Sequence, residues 1–555
     1  MHKKTIEDII KTFNVDQLEM FEMLKNNDRY QFRVPTGVGK GYVMIAHILY
    51  TIIKTKQSKF LISSHRLSLN NQHLKDLIGF YIDLNLINKV KFLTVGSQAL
   101  NISKVLADDY DLAKKFNNQL FEYNFSLDMK SKMNQDDIFK FTLSKKEVNK
   151  IIAKNDKEGF KTIIITTYNS SDKVKDQKID ISYFDEAHIL ASDKEDSDFR
   201  NSFNMINSKK NFFFTATPKD VEEQMIKDGE SSDIFLMNNK EIFGDIYEIK
   251  FKHCVKKAYI TSLVTHVAYP KDIGEGKDYN SIDNKSIFVK EAFDAHGKWL
   301  KGNSSSPDEI EPKMLVRCES VPHMWEMYNM LSSIVGDDII VCAGASYNES
   351  GPENHVISDE WIKNRDEFIK KIQNFNSKQK MIILQFDILS EGLNVPGITG
   401  VMFLQGKMPS TTKVIQNVGR ATRLHHIDRI EVRKGKLKYG ESGWIKPKCA
   451  VIIPYWDEAS EFTKRILASK VRELRDSWEF DPHLVLSVGD DLADGDEKND
   501  VEGLNKLEKS DKRTKLIKEL KQEIEELDLL EEDFKERERL QGLSDIEFFN
   551  ELNKK

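Results

Sequence analysis

The chain alternates between short apolar runs and longer stretches in which apolar side chains recur every three or four positions. Helical spacing covers residues 4–28, and a further helix is predicted from about residue 41 to residue 55. Short apolar runs that are typical of buried strands lie at 31–34, 60–63, 91–95, 162–165, 179–184 and 211–214. Strands and helices that alternate in this way predict a parallel sheet with helices on its faces.

A second series of apolar runs begins beyond residue 310. These runs lie at 314–316, 339–341, 381–384, 401–404 and 450–453. They follow a Gly/Asp/Ser-rich stretch, 270–312, that surrounds one predicted helix at 287–300. The pattern predicts an α/β fold with two parallel-sheet domains in tandem, over residues 1–250 and 251–488. Residues 101–158 are rich in lysine and asparagine with helical spacing, and they are predicted to form a helical insertion in the first domain.

The last part of the chain, residues 489–555, is predicted to be an acidic linker followed by a helix. Residues 490–555 hold 22 acidic and 13 basic residues, whereas the whole chain has a net charge of −6, so the remainder is close to neutral. The charged helix carries one apolar stripe, which predicts either docking on the rest of the chain or contact with a protein partner. This balance excludes a cationic nucleic-acid coat but not a local basic channel.

Composition excludes several classes of protein. A hydrophobic fraction of 39% gives enough apolar material for large cores. No apolar run approaches the roughly 18 residues of a membrane span, and the N-terminus has no apolar signal segment. The four cysteines are far apart and form no Cys-x-x-Cys pair, which argues against a zinc site, an iron–sulfur cluster or a disulfide framework. A cytoplasmic location without membrane contact is expected.

A glycine-rich loop at residues 35–41 separates a predicted strand from a predicted helix. Its glycines would let backbone N–H groups turn towards phosphates, and Lys40 would supply a positive charge that faces solvent when no nucleotide is bound. The pattern Gly-x-x-x-x-Gly-Lys-Ser/Thr is not met at either end, because Val34 and Gly41 occupy its outer positions. Taken alone, the loop could also be a turn with a surface lysine.

Gly41 stands where a hydroxyl normally binds Mg²⁺, and a water is expected to fill that position. Gly41→Thr is therefore predicted to lower the Mg²⁺ concentration needed for turnover. The loop residues predicted to bind nucleotide are Pro35, Thr36, Gly37, Val38, Gly39, Lys40 and Gly41.

Two adjacent carboxylates, Asp185 and Glu186, follow the predicted strand at 179–184. A carboxylate at a strand end can hold Mg²⁺, and its neighbour can orient and deprotonate an attacking water. Further along, Thr215 and Thr217 follow the run Phe-Phe-Phe and are expected to face the Asp185 strand. A charged turn and a pair of helix caps remain the alternatives for these two pairs of residues.

These segments together resemble the motifs of superfamily 2 helicases and translocases of the DExH type. The residues that correspond to motifs I, Ia, II, III, IV, V and VI are 35–41, 64–66, 185–188, 215–217, 315–318, 390–396 and 416–423. A later strand-end DNA-contact motif corresponds to residues 165–168. Residues 416–423 read Gln-x-x-Gly-Arg-x-x-Arg without a mismatch, and the resemblance covers about three-quarters of the chain, residues 17–423.

The resemblance implies two RecA-like domains with ATP and Mg²⁺ held between them. Its implied catalytic residues are Lys40, Asp185, Glu186, Arg420 and Arg423, with Asp185 on the metal and both arginines reaching the γ-phosphate. Gln17, Glu391 and Gly392 are implied to contact the nucleotide. The residues implied to contact nucleic acid or to couple it to hydrolysis are His65, Arg66, Thr167, Thr215, Thr217 and Gln416.

The function implied is ATP-dependent translocation along nucleic acid or its unwinding. DNA is favoured over RNA, because the Thr-Ala-Thr-Pro segment at 215–218 and a motif VI that begins with Gln416 resemble those of branch-migration, repair and restriction helicases. Proteins of this kind hold phosphates rather than base edges, so sequence specificity is not expected. The alternatives are an RNA helicase, the motor subunit of a restriction or defence complex, and a non-catalytic nucleic-acid-binding scaffold.

Overall fold

The chain forms two compact units, Met1–Ile249 and Lys250–Lys555, which are described separately as the first and the second unit. The computed structural model describes residues 4–65, 67–96, 106, 109–125, 132–191, 198–218, 236–269, 281–345, 372, 378–386, 395, 397–404, 411–454, 483–488 and 522. The predicted acidic linker and helix at 489–555 lie outside the described residues, apart from Gln522. The domain limits given above stay a prediction.

The first unit is built on an eight-stranded parallel sheet. Its strands are β1 (Arg29–Arg33), β2 (Lys59–Ser64), β3 (Val90–Val95), β4 (Phe139–Thr142), β5 (Lys161–Thr167), β6 (Ile179–Asp185), β7 (Ser208–Thr215) and β8 (Asp245–Glu248). They lie in the order β4-β3-β5-β2-β6-β7-β1-β8, so that β7 separates the strand of the glycine-rich loop from the strand of Asp185. The parallel direction places all their carboxyl ends at one edge of the sheet.

Nine α-helices of the first unit lie within the described ranges. They are α1 (Ile6–Ile10), α2 (Val15–Asn26), α3 (Lys40–Lys54), α4 (Leu67–Asp83), α5 (Tyr110–Phe125), α6 (Gln135–Ile138), α7 (Lys145–Lys157), α8 (Asp198–Asn204) and α9 (Lys240–Phe243). The helical spacing over 4–28 is divided into α1 and α2, because Asn14 and Gln17 form a capping box that starts a new helix.

The predicted insertion contains α5 and α7, but it also contributes the edge strand β4. This strand pairs with β3, and Phe139 stacks on Phe92 with ring centroids 4.9 Å apart. A four-residue strand with a lysine in it gives no clear apolar run, so its place in the sheet depends on this packing. The remaining positions of the segment, 101–105, 107–108 and 126–131, lie outside the described residues.

The second unit holds a seven-stranded sheet whose strands also run parallel. The strands are β9 (Ser262–Tyr269), β10 (Lys313–Arg317), β11 (Ile339–Ala345), β12 (Lys380–Phe386), β13 (Gly400–Phe403), β14 (Lys448–Pro454) and β15 (His483–Val488). Their order is β11-β12-β10-β13-β14-β9-β15. The helices described here are α10 (Phe251–Lys256), α11 (Ile282–Asn303), α12 (Val321–Ile334), α13 (Thr411–Ala421) and α14 (His426–Arg433).

The apolar pattern did not predict β9, although this strand lies inside the sheet. Its centre carries Thr265 and His266, which interrupt the apolar run but are almost fully buried. The ring of Trp299 from α11 packs edge-on against His266 with a centroid distance of 4.9 Å. The prediction of two parallel α/β sheets is confirmed, and within the described ranges no helix is long and apolar enough to cross a bilayer.

Candidate active site

The glycine-rich loop connects β1 to α3 with two glycines in the left-handed region. Gly37 has φ 94° and Gly39 has φ 100°, and a Cβ at Gly39 would lie 2.5 Å from Gln17 Nε2. Gly39 precedes α3 and gives its first turn no side-chain cap. Residue 39 therefore offers no side-chain acceptor to the first backbone N–H groups of this helix. A helix start of this kind is suited to binding an anion.

Thr36 and Lys40 define the polar character of this loop. Thr36 Oγ1 is buried and has no hydrogen-bond partner among the described residues. Lys40 is half-buried, and its Nζ donates to the Val34 carbonyl oxygen at 2.9 Å. The expectation of a solvent-facing Lys40 is thus wrong, because the curled loop brings a backbone acceptor within reach of the ammonium group. A phosphate would have to draw Lys40 away from Val34.

Gln17 contacts the same loop, as its side-chain Nε2 donates to the Val38 carbonyl oxygen at 2.8 Å. Its Oε1 accepts the N–H of Asn14 at 3.1 Å and completes the cap of α2. Both ends of the amide therefore have protein partners. This arrangement stabilises the loop, and the adenine contact implied for Gln17 stays a prediction.

Asp185 ends β6 as a buried carboxylate with ordered partners. His73 Nε2 donates to Asp185 Oδ2 at 2.8 Å, and the backbone N–H of Glu186 donates to Oδ1 at 3.0 Å. Burial alone would raise the pKa of Asp185, but the hydrogen bond and charge of His73 and the charge of Lys40 outweigh it and lower that pKa. Asp185 is therefore an anion near neutral pH.

His73 lies on α4 and has no counterpart among the predicted site residues. Burial would lower the pKa of this imidazole, but the hydrogen bond and the negative charge of Asp185 outweigh burial and raise it. The ring also lies beside Gly41, since a Cβ at Gly41 would be 3.5 Å from His73 Cε1. A single histidine on a helix carries no sequence signal for such a position.

Glu186 and His188 link the carboxylate motif to the end of β7. Glu186 is buried and adopts a left-handed conformation with φ 53°, which for a residue other than glycine stores some strain. His188 Nδ1 lies 3.4 Å from Glu186 Oε2, 3.0 Å from Thr215 Oγ1 and 3.3 Å from Thr217 Oγ1. A single imidazole thus contacts the predicted general base, Thr215 at the end of β7 and Thr217 just beyond it.

The residues predicted to contact nucleic acid in this unit lie at the ends of β2 and β5. His65 is half-buried and directly follows β2, whose Ser64 is paired with Thr167 at the end of β5. Thr167 Oγ1 donates to Ser170 Oγ at 3.3 Å. Asn70, which the sequence did not single out, joins the two strand ends by accepting from Ser64 Oγ and donating to the Thr166 carbonyl. Arg66 lies outside the described residues.

In the second unit, the two predicted arginines lie at and just beyond the end of α13. Arg420 is buried within the helix, Gln416 is half-buried one turn earlier, and Arg423 follows the helix. The amide of Asn417 accepts from Gln385 Nε2 at 3.0 Å and ties α13 to β12. Burial lowers the pKa of Arg423 to about 10, so this side chain remains a cation at neutral pH.

A buried lysine that the sequence did not reveal holds the backbone around these arginines. Lys446 Nζ donates to the carbonyl oxygens of Ala421 at 2.7 Å and Ile398 at 3.1 Å, and also to that of Arg423. Asp428 in turn accepts the N–H groups of Ile445 and Lys446, both at 2.9 Å. Burial lowers the pKa of Lys446 to about 8. Glu391 and Gly392 lie outside the described residues.

The residues around Asp185 fit a magnesium ion that arrives with a nucleotide. No group of three or more His, Cys, Asp or Glu side chains among the described residues could hold a metal by itself. Mg²⁺ in nucleotide sites usually takes one or two protein carboxylates and completes its shell with water and phosphate oxygens. Asp185 supplies one such carboxylate at the same sheet edge as the glycine-rich loop.

Two family models match the chain. Residues 1–220 match the res subunit of type III restriction enzymes, and residues 362–425 match the helicase conserved C-terminal domain. A comparison with curated proteins gives no match.

A comparison with solved structures matches the chain to helicases and restriction enzymes. The ATP-dependent type ISP restriction-modification enzyme LlaBIII bound to DNA is 15% identical with a TM-score of 0.54, over 91% of this chain and 32% of that chain. The Mycobacterium smegmatis helicase Lhr bound to ssDNA and AMP-PNP is 12% identical with a TM-score of 0.48, over 85% and 50%. A putative HsdR subunit of a type I restriction enzyme from Vibrio vulnificus is 13% identical with a TM-score of 0.42, over 87% and 68%.

The two family matches support a superfamily 2 helicase or translocase, and the fold is that of two RecA-like α/β domains in tandem. Residues 1–220 are thus similar to the res subunit of type III restriction enzymes. The chain spans about a third of the length of LlaBIII.

Proposed function

We propose that the chain is a nucleic-acid-dependent ATPase that moves along or remodels DNA. The observation that carries this proposal is the joining of three motifs at the carboxyl edge of the first sheet. The N–H of Val34, next to the glycine-rich loop, donates to the Thr215 carbonyl at 2.9 Å, and Thr215 contacts His188 beside Glu186. Ligands of open parallel α/β sheets bind at this edge.

The loop is assigned to the triphosphate. The N–H groups of the loop and the uncapped start of α3 would hold phosphate oxygens, and Lys40 would exchange the Val34 carbonyl for the β- and γ-phosphates. Asp185, together with water and phosphate oxygens, would hold Mg²⁺. When bound, this ion supplies neutralisation of the phosphate charge.

Glu186 is assigned as the base for the attacking water, because it is the carboxylate that directly follows Asp185 at the end of β6. His188, which contacts Glu186, also contacts Thr215 at the end of β7 and Thr217 just beyond it, so that a change in the base could reach β7. Arg420 and Arg423 are assigned to the negative charge of the transferred phosphoryl group, for which planar guanidinium groups are well suited.

DNA is proposed as the substrate because of two segments of the sequence. The Thr-Ala-Thr-Pro segment and the motif VI that begins with Gln416 resemble those of DNA-directed relatives. The match of residues 1–220 to the res subunit of type III restriction enzymes supports a second, more specific candidate, the motor subunit of a restriction or defence complex. Such a motor slides on duplex DNA without the need to separate its strands.

The test is ATP hydrolysis by the full chain with duplex DNA, single-stranded DNA, branched DNA and RNA of equal length in parallel. We expect low turnover alone and the largest stimulation with DNA, weakening with added salt because phosphate contacts release counterions. Lys40→Ala is the matched inactive control. Stimulation by RNA alone would replace the DNA assignment, and nucleic-acid binding without any hydrolysis would favour the scaffold alternative.

Translocation and unwinding can be separated on the same DNA. Displacement of a triplex-forming strand from a duplex reports movement, whereas release of a paired strand reports unwinding. Triplex displacement without strand release would support the restriction-type motor, and strand release would support a helicase.

A further inference from the structure

We propose that His73 is a positioning residue that takes over, through Asp185, the part that a hydroxyl at position 41 would play in holding the nucleotide's metal. The inference rests on the proposed function, and it concerns how this particular chain builds its metal position without a Ser or Thr at the end of the loop.

The imidazole fills the space between the start of α3 and the end of β6. A Cβ built on Gly41 would lie 3.5 Å from His73 Cε1 and 3.7 Å from Nδ1. On its other side the ring donates from Nε2 to Asp185 Oδ2 at 2.8 Å. His73 and Asp185 are both more than 90% buried, so the ring is enclosed between the two motifs.

The bond from His73 gives the carboxylate a fixed orientation. Asp185 Oδ1 accepts from the Glu186 N–H and Oδ2 accepts from His73, and each oxygen keeps a further lone pair for a metal. A carboxylate that is held in place in this way needs no rearrangement when the ion arrives. Partners that orient metal ligands typically contribute about 10–100-fold to metal affinity.

Gly41 and His73 therefore form a complementary pair. The ring leaves room for a Cβ at position 41 at ordinary contact distance, but the two further heavy atoms of a threonine would compete with it for space. Gly41→Thr alone should consequently raise the Mg²⁺ demand, the reverse of the expectation from the sequence pattern. The same substitution should lower the demand when His73 is shortened to alanine.

A direct bond from His73 to the metal is the competing arrangement. It would use the unprotonated Nδ1, which lies on the Gly41 side of the ring, while Nε2 still donates to Asp185, and an imidazole ligand would favour Mn²⁺ over Mg²⁺. The two arrangements differ in the variant that preserves function, because the side-chain amide of glutamine can donate to Asp185 but is a poor metal ligand.

The experiment measures binding of a fluorescent ATP analogue to the full chain, first with EDTA and then over a range of Mg²⁺ or Mn²⁺ concentrations. The variants are His73→Leu, His73→Gln, His73→Ala, Gly41→Thr and the double variant Gly41→Thr/His73→Ala. His47→Leu serves as the matched control, since His47 is also buried in this unit and bonds instead to the Tyr183 hydroxyl at 2.8 Å.

We expect His73→Leu to raise the Mg²⁺ concentration for half-maximal binding by about 10–100-fold, with binding in EDTA unchanged. His73→Gln should restore most of that loss, and the double variant should need less Mg²⁺ than His73→Ala.

Three results would overturn this proposal while leaving the proposed function in place. The first is an unshifted Mg²⁺ demand in His73→Leu, and the second is an equal loss of nucleotide affinity with and without metal. The third is a His73→Gln variant that is as defective as His73→Leu, together with a preference for Mn²⁺ that the unaltered chain shows and the variant lacks, because this result would indicate direct binding of the metal by His73. If the unaltered chain binds no nucleotide at any Mg²⁺ concentration, the proposed function fails and this proposal falls with it.

Discussion

The two units use buried polar groups in different ways. In the first unit, ionisable side chains at the carboxyl edge contact each other, as His73 does with Asp185 and His188 with Glu186. In the second unit, the buried ammonium of Lys446 bonds to three backbone carbonyls around α13. Side-chain pairs can be exchanged for ligand contacts, whereas bonds to the backbone fix the chain itself. The comparison suggests a responsive site in the first unit and a rigid support for the arginines in the second.

The largest effect is expected from the arginines on that support. Arg420→Ala and Arg423→Ala should each lower turnover by about 10³–10⁵-fold, the range of arginine fingers, and change ATP affinity far less. Single-turnover hydrolysis and equilibrium nucleotide binding measure the two quantities. Arg433→Ala, at the end of α14, is the control. Equal hydrolysis by residues 1–250 alone and by the full chain would contradict a role for the second unit.

Glu186→Gln tests the responsive site in the first unit. The amide keeps the size of the side chain but loses its basicity, so hydrolysis should fall by about 10²–10⁴-fold while ATP still binds. The same two assays apply. A variant that also fails to bind ATP would show that the contact of Glu186 with His188 maintains the shape of the site instead.

Lys446→Met tests the rigid support directly. Methionine fills a similar volume but leaves the carbonyls of Ile398, Ala421 and Arg423 without their donor, at a cost of about 3 kcal/mol or more for three buried acceptors. All six tryptophans lie beyond residue 298, so urea unfolding followed by tryptophan fluorescence reports the second unit alone.

Lys448→Met, at the start of β14, is the control for the Lys446 variant. If the Lys446→Met variant has the same free energy of unfolding as the unaltered chain, other donors must replace Lys446.

The pH dependence of stability sharpens the comparison further. Burial lowers the pKa of His266 and of His296 to about 3, whereas the unfolded chain protonates them near 6.5. Between these two pKa values the unfolded state binds more protons than the folded state. The stability that these neutral histidines contribute is therefore present above pH 6.5 and is lost as the pH falls. The loss between pH 7 and pH 5 is about 2 kcal/mol for each histidine.

The first unit should respond less to acid. His47 acts in the same direction, with its pKa lowered to about 3 by burial, but the raised pKa of His73 contributes stability that is present at low pH and lost as the pH rises. Tryptophan fluorescence at pH 7 and pH 5 measures the second unit, and His266→Leu should remove part of its acid sensitivity. An unchanged pH dependence in that variant would place the sensitivity elsewhere.

The sequence by itself determined the elements whose signal is local. The glycine-rich loop, the Asp-Glu-Ala-His segment and the Gln-x-x-Gly-Arg-x-x-Arg helix were found from neighbouring residues alone, as were most buried strands. Each of these is specified within a few residues, by left-handed glycines, by a strand end or by helical spacing. Their order along the chain also predicted two parallel sheets.

Only the tertiary structure decided what surrounds those motifs. His73 is 112 positions from Asp185, and Lys446 is 48 positions from Ile398, so neither pairing leaves a local pattern. The same holds for β4 and β9, whose Thr142 and His266 are buried only because neighbouring strands and helices cover them. The curl of the glycine-rich loop also brought Lys40 to the carbonyl of Val34, only six positions away. The motifs can be recognised in the sequence because each is formed by neighbouring residues. Their partners are distant in sequence, and the fold alone determines which of them lie beside each motif.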